Sequence, residues 1–224
     1  VDIGGTLTKI GMVDTEGNIK NFFSFKMVDT LRQPQNYLKE LSLNICKILE
    51  DTSNNCIGSG VAIRRVQKDD GTGTLYSANA PFFNGFNIYS ALQKKFNMPV
   101  SVINDLTAHS LAEYHFGVGK NYKRFLNVAI GTGIGCTMLL NCKPVILFCG
   151  TSGDCGRMII EPNAEISCGM GIKGSAEALC GTNGIEYLAK KNYGVNNIIA
   201  EDIITKARKA KDEIAVEVIE KIGF

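Results

Sequence analysis

No apolar run in this 224-residue chain approaches the ~20 residues a membrane-spanning helix needs. The N-terminal stretch also lacks the basic and apolar segments of a secretory leader. Charge of one sign is not in excess: the net charge is +2, too small to pull strongly toward nucleic acid or an anionic membrane. There is no internal repeat at short period and no low-complexity tract, which excludes solenoids and disordered linkers. No C-x-x-C pair occurs among the eight cysteines, at 46, 56, 136, 142, 149, 155, 168 and 180. Scattered in this way, they predict reduced, mostly buried thiols of a cytoplasmic protein rather than a disulfide framework. The remaining composition, 45% hydrophobic and 21% charged, is that of an ordinary globular protein, long enough for one large domain or two smaller ones.

The hydrophobic pattern predicts a β-meander over residues 1–27, with strands around Ile10–Val13 and Phe22–Phe25 separated by the turn residues 14–18. Helical spacing follows at 34–50, a strand-like run at 56–63, and strong turn chemistry in Asp69-Asp70-Gly71-Thr72-Gly73. Residues 88–96 and 106–116 read as helices, and Asn141-Cys142-Lys143-Pro144 as the turn of a hairpin. A helical region over 184–222 carries Ile203, Ile204, Ala207, Ile214, Ala215, Val218 and Ile219 on a core-facing stripe. This order fits two α/β lobes around a cleft. The boundary falls just after residues 105–110, giving lobes 1–107 and 108–224.

Two apolar stretches run into Gly/Thr-rich turns: Val1-Asp2-Ile3 into Gly4-Gly5-Thr6, and Val128-Ala129-Ile130 into Gly131-Thr132-Gly133-Ile134-Gly135. Glycines let backbone N–H groups approach a phosphate closely, and threonine hydroxyls add donors. Between them Pro99-Val100-Ser101-Val102-Ile103 ends on Asn104-Asp105. An aspartate there is placed as a general base for an attacking hydroxyl, and Asn104 offers both donor and acceptor to a polyol. Each piece also has a plain turn reading. Together, in this order, they predict a nucleotide-dependent phosphotransferase.

These residues resemble the ROK sugar kinases of the actin/Hsp70/hexokinase ATPase superfamily. Asp2, Gly4, Gly5, Thr6 and Lys9 match the family's first phosphate motif, and Ile130 through Gly135 its second. Pro99 through Asp105, with Ala108, Ala112 and Glu113, matches its strand–Asn-Asp–helix unit. Gly153-Asp154-Cys155-Gly156-Arg157-Met158 looks like G-E-x-G-H-M, and Gly174 through Leu179 like G-C-L-E-A. The resemblance implies a two-lobed actin-like (ribonuclease H-like) α/β fold with a central cleft. It implies ATP as phosphate donor on Gly4, Gly5, Thr6, Lys9, Gly131, Thr132 and Gly133, and Mg²⁺ at Asp2, held through water. Asp105 is then the catalytic base, and Asn79, Asn104, Asp105, Asp154, Arg157 and Glu177 surround a hexose or a close derivative.

Three departures matter. The family's zinc ligands are largely replaced: Arg157 stands for a His, Ile166 and Ser175 for two Cys, leaving Cys168. A structural zinc needs four ligands, and His109 and His115, six apart, cannot act as a pair; no zinc is expected. Arg157 either enters the sugar pocket, where it would suit an acidic or phosphorylated sugar, or pairs with Asp154 or Glu161. Lastly, the chain opens inside a core strand and closes on an apolar helix, where the family continues with elements that hold adenosine. A fragment with its C-terminal part missing is expected. A sugar-sensing repressor of the same family is the alternative reading. The expected partner is a small sugar rather than a membrane or nucleic acid, and a homodimer stays open.

Overall fold

The computed structural model describes residues 1–50, 56–64, 66–67, 73–77, 80–147, 152–209 and 212–223. Asn79 and the turn residues Asp69, Asp70, Gly71 and Thr72 lie outside these. The described contacts group the chain into two compact units, Val1–Leu126 with Thr137–Ser152, and Asn127–Cys136 with Gly153–Phe224.

In the first unit, β1 (Asp2–Ile3), β2 (Leu7–Val13) and β3 (Ile19–Lys26) form the expected antiparallel meander. Its turn is closed by Asp14, whose carboxylate accepts from the N–H groups of Glu16 at 3.0 Å and Asn18 at 2.9 Å. Bonds from the Asn18 side chain and backbone hold that carboxyl at about 2. Helix α1 (Pro34–Glu50) opens with proline, which has no N–H to leave unpaired at a helix start. It turns Tyr37, Leu41 and Ile48 into the core. Strand β4 (Ser59–Ile63) then pairs parallel to β1; a ribbon of β5 (Val66–Gln67) and β6 (Thr74–Tyr76) follows. Helix α2 (Ile88–Phe96) is capped by Asn87, whose side chain accepts from the Ser90 N–H, and ends on Asn97 in the left-handed region. Strand β7 (Val100–Ile103) adds to β4 in parallel, so the sheet order is β3-β2-β1-β4-β7. Helix α3 (Asp105–Phe116) follows without a loop.

The core of this unit joins Ile3, Ile10, Val61 and Ile63 of the sheet to Tyr37, Leu41, Phe83 and Leu92. Phe83 meets the Tyr37 ring edge-on at a centroid distance of 5.1 Å. The Tyr37 hydroxyl, buried, pairs at 2.8 Å with that of Thr8, which is buried beside it in β2. Tyr37→Phe leaves Thr8 with no partner, so it should cost about 1–3 kcal/mol. Urea unfolding of the full chain checks this; a loss below about 0.5 kcal/mol would mean the pair adds nothing.

Strands β8 (Arg124–Ile130), β9 (Ile134–Leu140) and β10 (Lys143–Pro144) form a second sheet in the order β10-β9-β8. The turn between β9 and β10 is Asn141-Cys142, both at positive φ (49° and 66°), the geometry that matches strand twist in a tight hairpin. Lys143 and Pro144, expected in that turn, are already paired strand residues. In the second unit the expected helical region resolves into α5 (Thr182–Tyr193), α6 (Ala200–Arg208) and α7 (Glu213–Gly223), preceded by the short α4 (Ala176–Cys180). Gly194 at φ +67° ends α5. Ile185, Ala189, Ile203, Ala215 and Val218 form the core between them, with Ile204, Ala207, Ile214 and Ile219 half-buried around it.

The cysteines correct the expectation of mostly buried thiols. Among the described ones only Cys168 is buried, while Cys46 and Cys142 are exposed. Cys46 sits nine residues from Tyr37, half a turn away around α1, and Cys142 occupies a hairpin turn.

Candidate active site

Parallel pairing decides what meets at the edge of the first sheet. Asp2 lies opposite Ala62, and Ala62 opposite Ile103. The three parallel strands therefore end level with one another, and the chain leaves the sheet at Gly4, at Arg64 and at Asn104. The carboxyl ends of parallel strands are where open α/β sheets form ligand crevices.

At the first exit, the Gly4 N–H donates to the Leu7 carbonyl at 3.1 Å. A Cβ on Gly4 would stand 2.8 Å from that oxygen, so the tight turn itself demands glycine. With the Gly4 donor used internally, Gly5 and Thr6 form the outer part of the loop. The Thr6 carbonyl is fixed by the Met27 N–H at 2.8 Å. Asp2 and Lys9 face each other across the antiparallel pair at 3.7 Å, both about half-exposed, which makes a weak ion pair.

At the third exit, Asn104 caps α3: its Oδ1 accepts from the N–H groups of Leu106 at 2.9 Å and Thr107 at 3.4 Å. The oxygen is committed to the helix, and among the described residues the amide NH₂ has no partner. Asp105, the first helical residue, accepts from the Leu106 N–H at 2.9 Å. Burial pushes its carboxyl above the usual range; the Leu106 N–H and the Arg64 charge pull against this, and the Asp2 charge adds to it. The Thr107 hydroxyl pairs with that of Ser152 at 2.8 Å.

The middle exit was not singled out in the sequence. Arg64 is exposed, and its carbonyl is held by the buried Ser77 hydroxyl at 2.7 Å. The signal was present: Val61-Ala62-Ile63 is an apolar run that ends on a charged residue, as Val100 through Ile103 does on Asn104-Asp105.

In the second unit, Gly131-Thr132-Gly133 is a closed loop, with the Gly131 N–H donating to the Gly133 carbonyl at 2.9 Å. The Thr182 N–H and hydroxyl both donate to the Gly131 carbonyl at 3.0 Å. The Glu177 carboxylate accepts from the Ile134 N–H at 3.1 Å, and a Cβ on Gly133 would overlap it. Glu177, expected among the sugar contacts, braces the second loop. Asp154 and Arg157 form an ion pair at 3.0 Å with both side chains partly exposed, the second of the two fates open to Arg157. Ser175, at a lost zinc-ligand position, is the buried N-cap of α4 and accepts from the Ala178 N–H at 3.2 Å. Burial would raise the Cys168 thiol, yet it is lowered, because N–H groups of Met170 and Ile172 and the Ser175 hydroxyl point at it. No cluster of three or more His, Cys, Asp or Glu that could hold a metal occurs among the described residues.

So Asp2, Lys9, Asn104 and Asp105 share one sheet edge, Gly131 to Gly133 and Glu177 form a second group, and Asp154 and Arg157 pair with each other. Comparison with known proteins gives this arrangement a context. The model of the ROK family matches residues 1–224. A glucokinase of Halalkalibacterium halodurans is 24% identical over 100% of this chain and 72% of its own length. An N-acetyl-D-glucosamine kinase of Pectobacterium atrosepticum is 27% identical over 98% of this chain and 73% of its own. Among solved structures, a ROK family glucokinase from Streptomyces griseus in complex with glucose and AMPPNP superposes with a TM-score of 0.74 at 23% identity, covering 97% of this chain and 72% of that one. A ROK family transcriptional regulator, a homolog of the E. coli MLC protein, superposes at 0.85 with 20% identity, covering 99% of this chain and 58% of that one. The fold is thus the actin-like ATPase fold of these neighbours. The chain spans between 54% and 73% of the length of the first curated relatives it matches.

Proposed function

Because the chain belongs to the ROK family, we propose that the whole protein phosphorylates a hydroxyl of a hexose or hexose derivative with ATP. The observation that carries this reading is Asp105, a half-buried carboxylate with a raised pKa on the same sheet edge as the Gly4-Gly5-Thr6 turn. A sugar hydroxyl is too weak an acid to attack unaided, and a carboxyl shifted toward neutrality accepts its proton efficiently as the P–O bond forms. Asn104 offers its free NH₂ to a neighbouring hydroxyl, with its own position fixed by the cap it makes. Gly5 and Thr6 are assigned as phosphate donors, with Lys9 adding positive charge, and Gly131, Thr132 and Gly133 form the other candidate phosphate loop. Asn79, Asp154 and Glu177 are the further residues assigned to the sugar. Arg157, paired with Asp154, orients that carboxylate.

Asp2 suits Mg²⁺ held through water: its carboxylate is half-exposed at a strand end and only weakly engaged by Lys9. Mg²⁺ retains several waters and takes few carboxylates when it also meets phosphates. When bound, it would neutralise charge on the triphosphate.

The test is ADP release by the whole protein with a panel of neutral, N-acetylated and acidic hexoses. Release above the sugar-free rate with at least one of them is expected; none with any would sink the reading. The regulator neighbour favours one alternative, a sugar-sensing repressor, which would instead bind operator DNA in a sugar-dependent way.

Asp105 must be ionised to act, and its pKa lies above the ordinary aspartate value of about 3.9. As pH falls, kcat should therefore be lost through that raised pKa, at higher pH than for a solvated carboxylate. Among the described residues, the charged groups acting on Asp105 are Arg64 and Asp2, pulling in opposite directions. A kcat profile flat down to about pH 4 would contradict the base assignment.

A further inference from the structure

We infer that Arg64 is a further catalytic residue, contacting the phosphoryl group in transfer between the first phosphate loop and the hydroxyl held at Asp105. This rests on the kinase reading above and adds a residue to it. Its basis is the strand order. Of the three parallel strands, β4 lies between β1 and β7, and its end is level with both. Arg64 leaves the sheet there, flanked on one side by Asp2 and Gly4 and on the other by Asn104 and Asp105. A phosphoryl group passing from a donor on the β1 side to an acceptor on the β7 side must cross the position between them.

The side chain fits that position. Arg64 is exposed, and among the described residues it forms no ion pair. Its backbone, by contrast, is pinned by the Ser77 hydroxyl at 2.7 Å, and Ser77 is itself fixed through its N–H to Asn84 Oδ1 at 2.9 Å. The charge is thus presented from an anchored strand end. It also reaches far enough to draw the Asp105 carboxyl down against the effect of burial. In phosphoryl transfer, negative charge spreads over three equatorial oxygens, and a planar guanidinium meets two of them at once. No bond is made or broken at Arg64: the hydroxyl oxygen takes the phosphoryl group, ADP leaves, and the hydroxyl proton goes to Asp105.

Arg64→Ala and Arg64→Gln in the whole protein test this. In Ala and Gln, kcat should fall about 100-fold, as for loss of one preorganised donor, while KM for sugar and ATP moves less than about threefold. Added guanidinium should restore part of kcat to Arg64→Ala and none to Arg64→Gln, where the amide fills the space. The acid limb of kcat should move to higher pH in both, because Asp105 loses its cation. A kcat within threefold of wild type, a rise in KM alone, or a loss confined to acidic sugars would overturn the assignment. If the wild type turns over no sugar, the kinase reading fails on its own. Binding of ADP with aluminium fluoride then still judges Arg64: at least tenfold weaker binding in Arg64→Ala supports it, and unchanged binding overturns it.

Discussion

Replacing Asp105 by Asn in the full chain should lower kcat by about three orders of magnitude, within the range supplied by a general base, while sugar binding stays within a few-fold. The amide preserves the shape and can still accept the Leu106 N–H, the contact Asp105 makes at 2.9 Å, but it cannot take a proton from a hydroxyl. Stability gives an independent reading with the opposite sign. A carboxyl whose folded pKa is raised binds its proton more tightly folded than unfolded. Its ionisation therefore costs stability once pH exceeds the unfolded value near 3.9. At neutral pH the neutral amide avoids that cost, so Asp105→Asn should melt at the same temperature as wild type or higher. Loss of turnover in an undamaged or firmer protein marks a residue kept for chemistry. Turnover within tenfold of wild type, or an equal loss of sugar affinity, would remove Asp105 from the base role.

What the sequence made legible was local. Helices α1 and α2 fall on the residues that their spacing indicates, because their apolar faces repeat at helical period and their ends carry ordinary signals, Pro34 at one start and Asn87 at the other. The meander was legible from two apolar runs either side of a turn that Asp14 closes by itself. Arg64 was not legible, since its meaning depends on register. Nothing local says that residue 62 lies between residues 2 and 103, and a slip of one residue would turn its side chain to the other face. Arg157 shows a different limit. The two fates of its charge were both visible, and only coordinates decide that Asp154 takes it at 3.0 Å. Asn104 combines what looked like competing readings: its oxygen serves the helix cap, and the sugar contact proposed for it falls to its NH₂. The break between α5 and α6 was hidden because the apolar stripe continues across it, and the left-handed Gly194 was the sign to read.

Gly174→Ala should be the most destabilising of the single changes considered, lowering stability by roughly 2–5 kcal/mol, the sum of backbone strain and overpacking. Gly174 sits at φ +62°, which an alanine adopts only with strain, and its Cβ would overlap the Glu161 carbonyl. That neighbour is backbone and cannot swing aside. The residue is also a hub: its N–H donates to Ile166 O at 3.0 Å, and its carbonyl accepts from Ile160 at 2.9 Å and Glu161 at 3.1 Å. Moving it displaces the next residue, Ser175, which caps the short helix α4 and so places Glu177 against the Gly131-Thr132-Gly133 loop. For a chain of this size the cost corresponds to a fall in Tm of roughly 5–20 °C. Gly171→Ala is the control. It has a similar φ of +79° but open space where the Cβ would go, so strain alone should cost it about 1–2 kcal/mol. Thermal unfolding of both variants separates the two terms. Equal losses would mean that the approach of Gly174 to Glu161 does not constrain the protein, and the bracing of Glu177 through α4 would lose its footing. A larger loss at Gly174, with the Ile134 amide exchanging faster with solvent, would show one glycine holding the Gly131-Thr132-Gly133 loop through a helix cap.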